Sequence, residues 1–481
     1  MQKAVPQSER LPLSTKLAYG FGSVAYGVKD GGFAYFLLLF YSQVIGVEAW
    51  LVTIAIGAAL VVDAITDPIV GYWSDNLHSK WGRRHPFLYA SAVPVAATYY
   101  LLWNPPVGWS DEALFWYLLS LAILIRTFIT FNETPSSALT PELTANYDER
   151  STLISWRLFF GWTGGNAMSV MMFLAIFPAF ATATATGQFN REAYALYGMI
   201  AAGLIGISIL GSALGTHARI PYLKSPPPKR HLTLGLIFKE VYETLSNRSF
   251  VALFVANVFG AIGAGMSAAL SFYMATYFWK FTPLEIGGLT LGVFVSAIIG
   301  AVMAPIVTRT MGKKKGAMII GMIAFLGAPL PIVLKLLGLL DASTPTFIFL
   351  FVLIAGIIDV GLIICFQVLA AAMMADLVEQ SELKTGRRSE GTFIAAATFI
   401  RKMVSGLGVA AATLVLALAG LQAGAKPEDV SPDTVWWLGA YYVPIILSFW
   451  MAMMAAIAFY KLDRADHEEN LRQLAERNAG A

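Results

Sequence analysis

Residues 49–74 read AWLVTIAIGAALVVDAITDPIVGYWS, an apolar run whose only charges are Asp63 and Asp67. At 1.5 Å of rise per residue such a run is long enough to cross a hydrocarbon layer about 30 Å thick, so it predicts a transmembrane helix. Working outward, the same pattern recurs along the chain. In the first half, spans are expected near 16–45, 49–74, 86–105, 112–138, 152–180 and 193–217. In the second half they are expected near 249–279, 284–308, 316–338, 345–374, 391–421 and 434–460. Composition agrees: 57% of the 481 residues are apolar and 13% charged, beyond what a water-soluble core uses.

The expected fold is therefore an all-α membrane protein of twelve transmembrane helices in two six-helix bundles. Residues 1–218 form the first bundle, 219–248 a cytoplasmic linker, 249–460 the second bundle and 461–481 a cytoplasmic tail. The linker carries a triple proline, Pro226–Pro228, which cannot continue a helix. Lys and Arg place the ends. Lys3, Arg10 and Lys16 precede span 1, and Lys80, Arg83 and Arg84 follow span 2. Further basic groups fall at Arg219, Lys224, Lys229 and Arg230, at Arg309 with Lys313–Lys315, and at Lys384, Arg387 and Arg388. The opposite loops carry Glu48, Asp111, Glu112, Glu428 and Asp429, so the basic side and both termini are expected in the cytoplasm. The loop GYWSDNLHSKWGRRHP after span 2 has a weaker counterpart, APIVTRTMGKKKG, after span 8, as a repeat of two halves would give.

Composition also narrows function. The net charge of +3 is small and its cations sit in short loops, which does not point to nucleic acid. One cysteine, Cys365, excludes an internal disulfide or a cysteine-based metal site. The amino terminus, MQKAVPQSERLPLSTK, lacks an apolar core with a cleavage site and is expected to be retained. None of the five histidines falls in the middle of a span, which argues against a buried histidine relay.

Chemistry is expected where charge enters the membrane, since an ionisable group at its centre costs about 2.5–3.5 kcal/mol even on a lenient insertion scale. Asp63 and Asp67 stand four residues apart, on one helix face, with Thr66 beside them and Pro68 after them. Hard carboxylate oxygens suit sodium, and a pair of carboxylates can instead hold a proton. A purely structural account has Asp67 capping the cytoplasmic end of span 2 and Asp63 pairing with a neighbouring helix; the cost of the charges favours the cation. In span 4, Arg126 and Glu133 lie seven residues apart with Thr130 between, and an internal ion pair would account for both. Asp30 in span 1, Arg157 and Asn166 in span 5, Asp359 and Gln367 in span 10, and Arg401 and Lys402 in span 11 could line a polar cavity, with Trp156, Trp162 and Tyr35 offering ring contacts.

Several ordered motifs carry a resemblance. YGFG at 19–22, DAITDP at 63–68, NETPSSALTPEL at 132–143, DERS at 148–151 and MMADLVEQSELKTGRR at 373–388 resemble the glycoside-pentoside-hexuronide:cation symporters, the melibiose permease-like branch of the major facilitator superfamily. The resemblance spans nearly the whole chain. It implies alternating access between two six-helix bundles and a sugar site coupled to Na+ or H+. By it, Asp63 and Asp67 match paired cation-binding aspartates (metal ligands if the ion is Na+), and Thr130 completes their site. Thr66 replaces the family's Asn and keeps an oxygen there. Glu133 matches a sugar-binding aspartate, Arg157 a sugar-binding arginine, and Lys402 a lysine between the two sites. Lys29 and Asp30 stand three residues beyond the family's Lys-Asp pair, where this chain has Tyr26 and Gly27, and Ser137 replaces a sugar-stacking tryptophan.

The expected activity is cation-coupled symport of a sugar or glycoside by a monomer in the cell inner membrane, with no cofactor beyond the ion, Asp30 joining Glu133, Arg157 and Lys402 at the solute, and Arg126, Asp359, Gln367 and Trp156 as accessory groups. A lysolipid:cation symporter is the alternative within transport. An intramembrane prenyltransferase-like enzyme would use the DxxxD pair for magnesium, but it needs a second acidic motif that Asp376, Glu379 and Glu382 mimic poorly.

Overall fold

The computed structural model describes residues 11–144, 146–182, 186–223, 248–385 and 390–460. Among these every regular element is helical and no strand occurs. The chain opens with α1 (Leu13–Phe21) and α2 (Val24–Gly31), followed by π-helical turns at Gly32–Phe36 and Phe40–Ile45. The stretch read as one span over 16–45 is thus a broken helix. Widened turns re-aim side chains within a helix, and here Phe33, Phe36 and Phe40 are all buried.

Next come α3 (Ala49–Asn76), α4 (His85–Leu102), α5 (Asp111–Leu143), α6 (Tyr147–Met171, extended by a π-helical turn at Met172–Ile176) and α7 (Arg191–His217). The second half holds α8 (Arg248–Tyr273), α9 (Pro283–Met311), α10 (Lys313–Gly327), α11 (Leu330–Leu336), α12 (Pro345–Thr385), α13 (Glu390–Ala419) and α14 (Pro432–Ala458). Among the described residues nine helices are long and apolar enough to cross a membrane.

Helix α3 shows why these elements belong in lipid. Val52, Ala55, Ala59, Asp63 and Val70 are buried on one face, while Ile54, Val61, Ile65 and Ile69 are exposed on another. In water each exposed isoleucine would forgo about 1.5–3 kcal/mol, whereas hydrocarbon accepts it at no cost.

The chain divides into two compact units, one built on α1 to α7 and one on α8 to α14, with residues 268–273 and 422–429 belonging to the first. In the first unit α2 and α6 meet backbone to backbone. A Cβ on Gly27 would run into the Gly161 carbonyl, and one on Gly165 would lie 2.6 Å from the Gly27 carbonyl oxygen. Small residues permit this approach, which is how membrane helices gain packing energy. At one end of the unit the rings of Trp103 and Tyr194 stack at 6.1 Å and the Tyr99 and Tyr197 hydroxyls lie 3.1 Å apart. At the other end, Arg83 donates to Glu142 at 2.7 Å, and Arg84 donates to Glu142 at 3.1 Å, to Ser74 at 2.7 Å and to Asp75. Lys16 pairs with Glu149 at 2.7 Å, tying α1 to α6.

In the second unit α9 and α12 pack closely, with the Ser296 hydroxyl donating to the Ile357 carbonyl at 2.9 Å and Gly300 facing Ile364. Thr282 and Glu285 form a reciprocal cap at the start of α9. Lys335 of α11 donates to the Phe278 carbonyl and lies 4.5 Å from that residue's ring centroid.

Candidate functional site: two carboxylates and a polar stripe in the first unit

Helix α3 presents Asp63 and Asp67 one turn apart, and α5 presents Arg126 and Thr130 with the same spacing. The two pairs meet. Arg126 Nη1 donates to Asp63 Oδ2 at 3.1 Å, and Thr130 Oγ1 lies 3.1 Å from Asp63 Oδ1, 3.1 Å from Asp67 Oδ1 and 2.9 Å from the Arg126 carbonyl oxygen. The Asp63 side chain is 1% exposed and that of Arg126 7%. Phe33, from the first widened turn, lays its ring 4.9 Å from the guanidinium carbon. Arg126 Nε has no hydrogen-bond partner among the described residues.

A threonine hydroxyl has one hydrogen, so it serves one of those three acceptors at a time. Two carboxylate oxygens held this near a shared hydroxyl form a donor set of hard oxygens that fits a small cation or a proton. Thr66 turns its hydroxyl back onto its own helix, donating to the Asp63 carbonyl at 3.1 Å. Asp67 is no helix cap, since α3 continues to Asn76. The pairing of Asp63 with a neighbouring helix is real, however, and its partner is Arg126.

The internal pair expected in span 4 does not form: Arg126 reaches across to Asp63, and the Glu133 carboxylate makes no ion pair among the described residues. Instead Arg126, Thr130, Glu133 and Ser137 run as one stripe along α5, over about 16 Å at 1.5 Å per residue. Below the carboxylates the stripe meets Arg157 of α6, whose Nη2 donates to Ser137 Oγ at 2.8 Å and whose Nη1 donates to the Tyr19 hydroxyl at 3.3 Å. Tyr19 is oriented in turn by donating to the Ser136 carbonyl at 2.7 Å, and Tyr26 donates to the Arg157 carbonyl at 3.2 Å. Arg157 Nε is buried and has no hydrogen-bond partner among the described residues. Trp156 is half-buried, 5.9 Å from the Phe160 ring centroid.

The other expected residues fall on other helices. Asp30 is 59% exposed and pairs with the buried Lys29 at 2.6 Å. Asp359 and Gln367 lie on α12 of the second unit, the first half-buried near Gly327 and the second exposed. Lys402, Arg401 and most of the 373–388 motif lie outside the residues whose side chains are described. Tyr19 enters the sequence reading only within YGFG and Ser137 only as the replacement of a stacking tryptophan, while Phe33 does not enter it; the i, i+4, i+7, i+11 spacing on α5 is the signal that joins Ser137 to the stripe.

Apolar-sided helices around a polar stripe, buried at Asp63, Arg126 and Thr130 and open at Ser137, are the build of a multi-pass membrane transporter. The chain belongs to the MFS/sugar transport protein family, whose model matches residues 18–464, and that family comprises transporters rather than enzymes. The resemblance to cation symporters read from the motifs therefore holds. Over 96% of its length the chain is 24% identical to the isoprimeverose transporter of Lactiplantibacillus pentosus, covering 91% of that protein. It is 23% identical to the sodium-dependent lysophosphatidylcholine symporter 1 of Gallus gallus, over 97% of this chain and 90% of that one. Among solved structures, a D-xylose-proton symporter superposes with a TM-score of 0.60 at 14% identity, covering 91% of this chain and 97% of the other, which confirms the fold.

Proposed function

We propose that the protein couples the movement of a cation, Na+ or H+, to uptake of a sugar or glycoside. The observation that carries this reading is the placement of Thr130 between Asp63 and Asp67, 3.1 Å from each. In this reading Asp63, Asp67 and Thr130 hold the ion, and Thr66 borders it. Glu133 and Arg157 hold solute hydroxyls, with Asp30 and Lys402 completing that site and Trp156 supplying an apolar wall. Asp359 and Gln367 are accessory groups of the second unit. Both sites share α5, so neutralising the carboxylates at one end of the stripe changes the field in which Glu133 and Arg157 bind at the other. Such coupling is reciprocal: ion raises solute affinity and solute raises ion affinity by the same factor.

The architecture that goes with this reading is twelve spans in two bundles, 1–218 and 249–460, joined by a cytoplasmic linker, with both termini cytoplasmic. The protein acts as a monomer in the cell inner membrane. The relative named for isoprimeverose supports a glycoside, and the relative named for lysophosphatidylcholine supplies the competing substrate class.

Thermal unfolding of the purified protein tests the proposal, using isoprimeverose, simple glycosides and lysophosphatidylcholine as probes in NaCl or KCl at two pH values. Stabilisation by a glycoside that Na+ or acid enhances, and that Asp67→Asn removes, is the expected result. Stabilisation by lysophosphatidylcholine alone moves the solute to the lipid class, and an ion effect that survives Asp67→Asn defeats the ion site.

A further inference from the structure

We propose that Arg126 is a tethered cation that sets the charge of the Asp63–Asp67 site and thereby its affinity for the transported ion. The inference rests on the reading of that site as the ion site. Both oxygens of Asp63 are engaged by donors, Oδ2 by the Arg126 guanidinium at 3.1 Å and Oδ1 by Thr130 at 3.1 Å. Arg126 and Asp63 are both more than nine-tenths buried, so their charges act on each other with little screening by water. A guanidinium cannot give up its proton in a protein, so the charge is permanent. The Phe33 ring, 4.9 Å away, favours a cation at this point and leaves the guanidinium carbon facing Asp63 from a fixed seat.

Charge counting then gives the consequence. Arg126 sets one fixed positive charge against the two carboxylates. Removing the guanidinium makes the site more negative by one charge, so it attracts a cation more strongly. Removing the Asp63 charge with Arg126 retained makes it less negative by one and weakens that attraction, and removing both returns the charge of the parent.

The experiment is a charge ladder on the full chain purified in detergent. Thermal unfolding is followed against NaCl and LiCl, with choline chloride holding ionic strength constant, for the parent, Arg126→Gln, Asp63→Asn and the double variant Arg126→Gln/Asp63→Asn. The readout is the half-saturating ion concentration, which a general loss of stability does not move. Arg126→Gln is expected to bind at least tenfold more tightly than the parent, Asp63→Asn to lose the response, and the double variant to return to within about threefold of the parent. Arg126→Lys, which keeps the charge, is expected to stay near the parent value. If Arg126→Gln alone fails to fold, the double variant still decides, because it replaces the ion pair by a neutral hydrogen-bonding pair. A double variant as unresponsive as Asp63→Asn overturns the proposal, as does an Arg126→Gln protein with unchanged affinity, or silence in all four. Asp67→Asn separates this from the reading beneath it. A flat ladder whose response still vanishes in Asp67→Asn sinks only the role of Arg126; a response that persists in Asp67→Asn sinks the ion site itself.

Discussion

Replacing Thr130 by valine keeps the β-branched shape and removes a hydroxyl that lies 3.1 Å from both Asp63 and Asp67. Leaving buried acceptors without their donor costs about 1–3 kcal/mol, a factor of roughly 5 to 150 in an equilibrium. Thr130→Val is therefore expected to raise the half-saturating concentration of the coupling ion by at least fivefold in ion-dependent thermal unfolding, while Thr130→Ser stays near the parent. Arg157 gives the complementary test. Its two η nitrogens address Ser137 at 2.8 Å and Tyr19 at 3.3 Å, a forked geometry that a lysine cannot copy. Arg157→Lys is expected to raise the KM for solute about tenfold and to leave the half-saturating ion concentration, measured without solute, unchanged. A matching shift in both would mean that Arg157 belongs to the ion site.

At the scale of the element, sequence and structure agree where one helix contains its own explanation. The ends of α3 and α5 fall close to those of the apolar runs, and the i, i+4 placing of Asp63 and Asp67 needs only the helical repeat. Agreement stops where the partner comes from elsewhere in the chain. A spacing of seven offers Glu133 to Arg126 within one helix, but Asp63, 63 residues away, takes it. Hydropathy also does not locate the breaks between α1, α2 and the widened turns, because the charged interruption of that run, Lys29 and Asp30, falls inside α2 rather than at a break. Those breaks go with backbone contacts at Gly27 and Gly161 that no periodicity encodes. Gly27→Val should therefore force α2 and α6 apart and lower the melting temperature by several degrees, in the range of severe packing mutations at about 2–5 kcal/mol. Gly57→Ala is the control: a Cβ on Gly57 meets nothing within 4 Å, and alanine in a helix interior gains roughly 0.5–1 kcal/mol. Equal destabilisation by the two would mean that the glycine contact is not what holds α2 to α6.

For the molecule as a whole, the placement of its basic loops sets its orientation in the membrane. Arg83 and Arg84 after α3 are buried on Glu142, yet with Lys80 they also make a basic cluster in a short loop, and short basic loops stay on the cytoplasmic side. Glu142→Gln would weaken the acceptor that Arg83 and Arg84 share, leaving Arg84 its bonds to Ser74 and Asp75, and it would disturb the packing of the loop itself, so that variant is a poor probe of sidedness. Single cysteines are better. The native Cys365 is buried, which makes the parent a quiet background for a membrane-impermeant maleimide. Val107, 81% exposed in the turn before α5, and Ser79, exposed in the loop after α3, report on opposite ends of α4. With the basic side in the cytoplasm, Val107→Cys should react in intact cells and Ser79→Cys only in inverted vesicles or after lysis. The reverse pattern would place the basic loops outside, contrary to the charge rule, and would turn the direction of coupled uptake around with them.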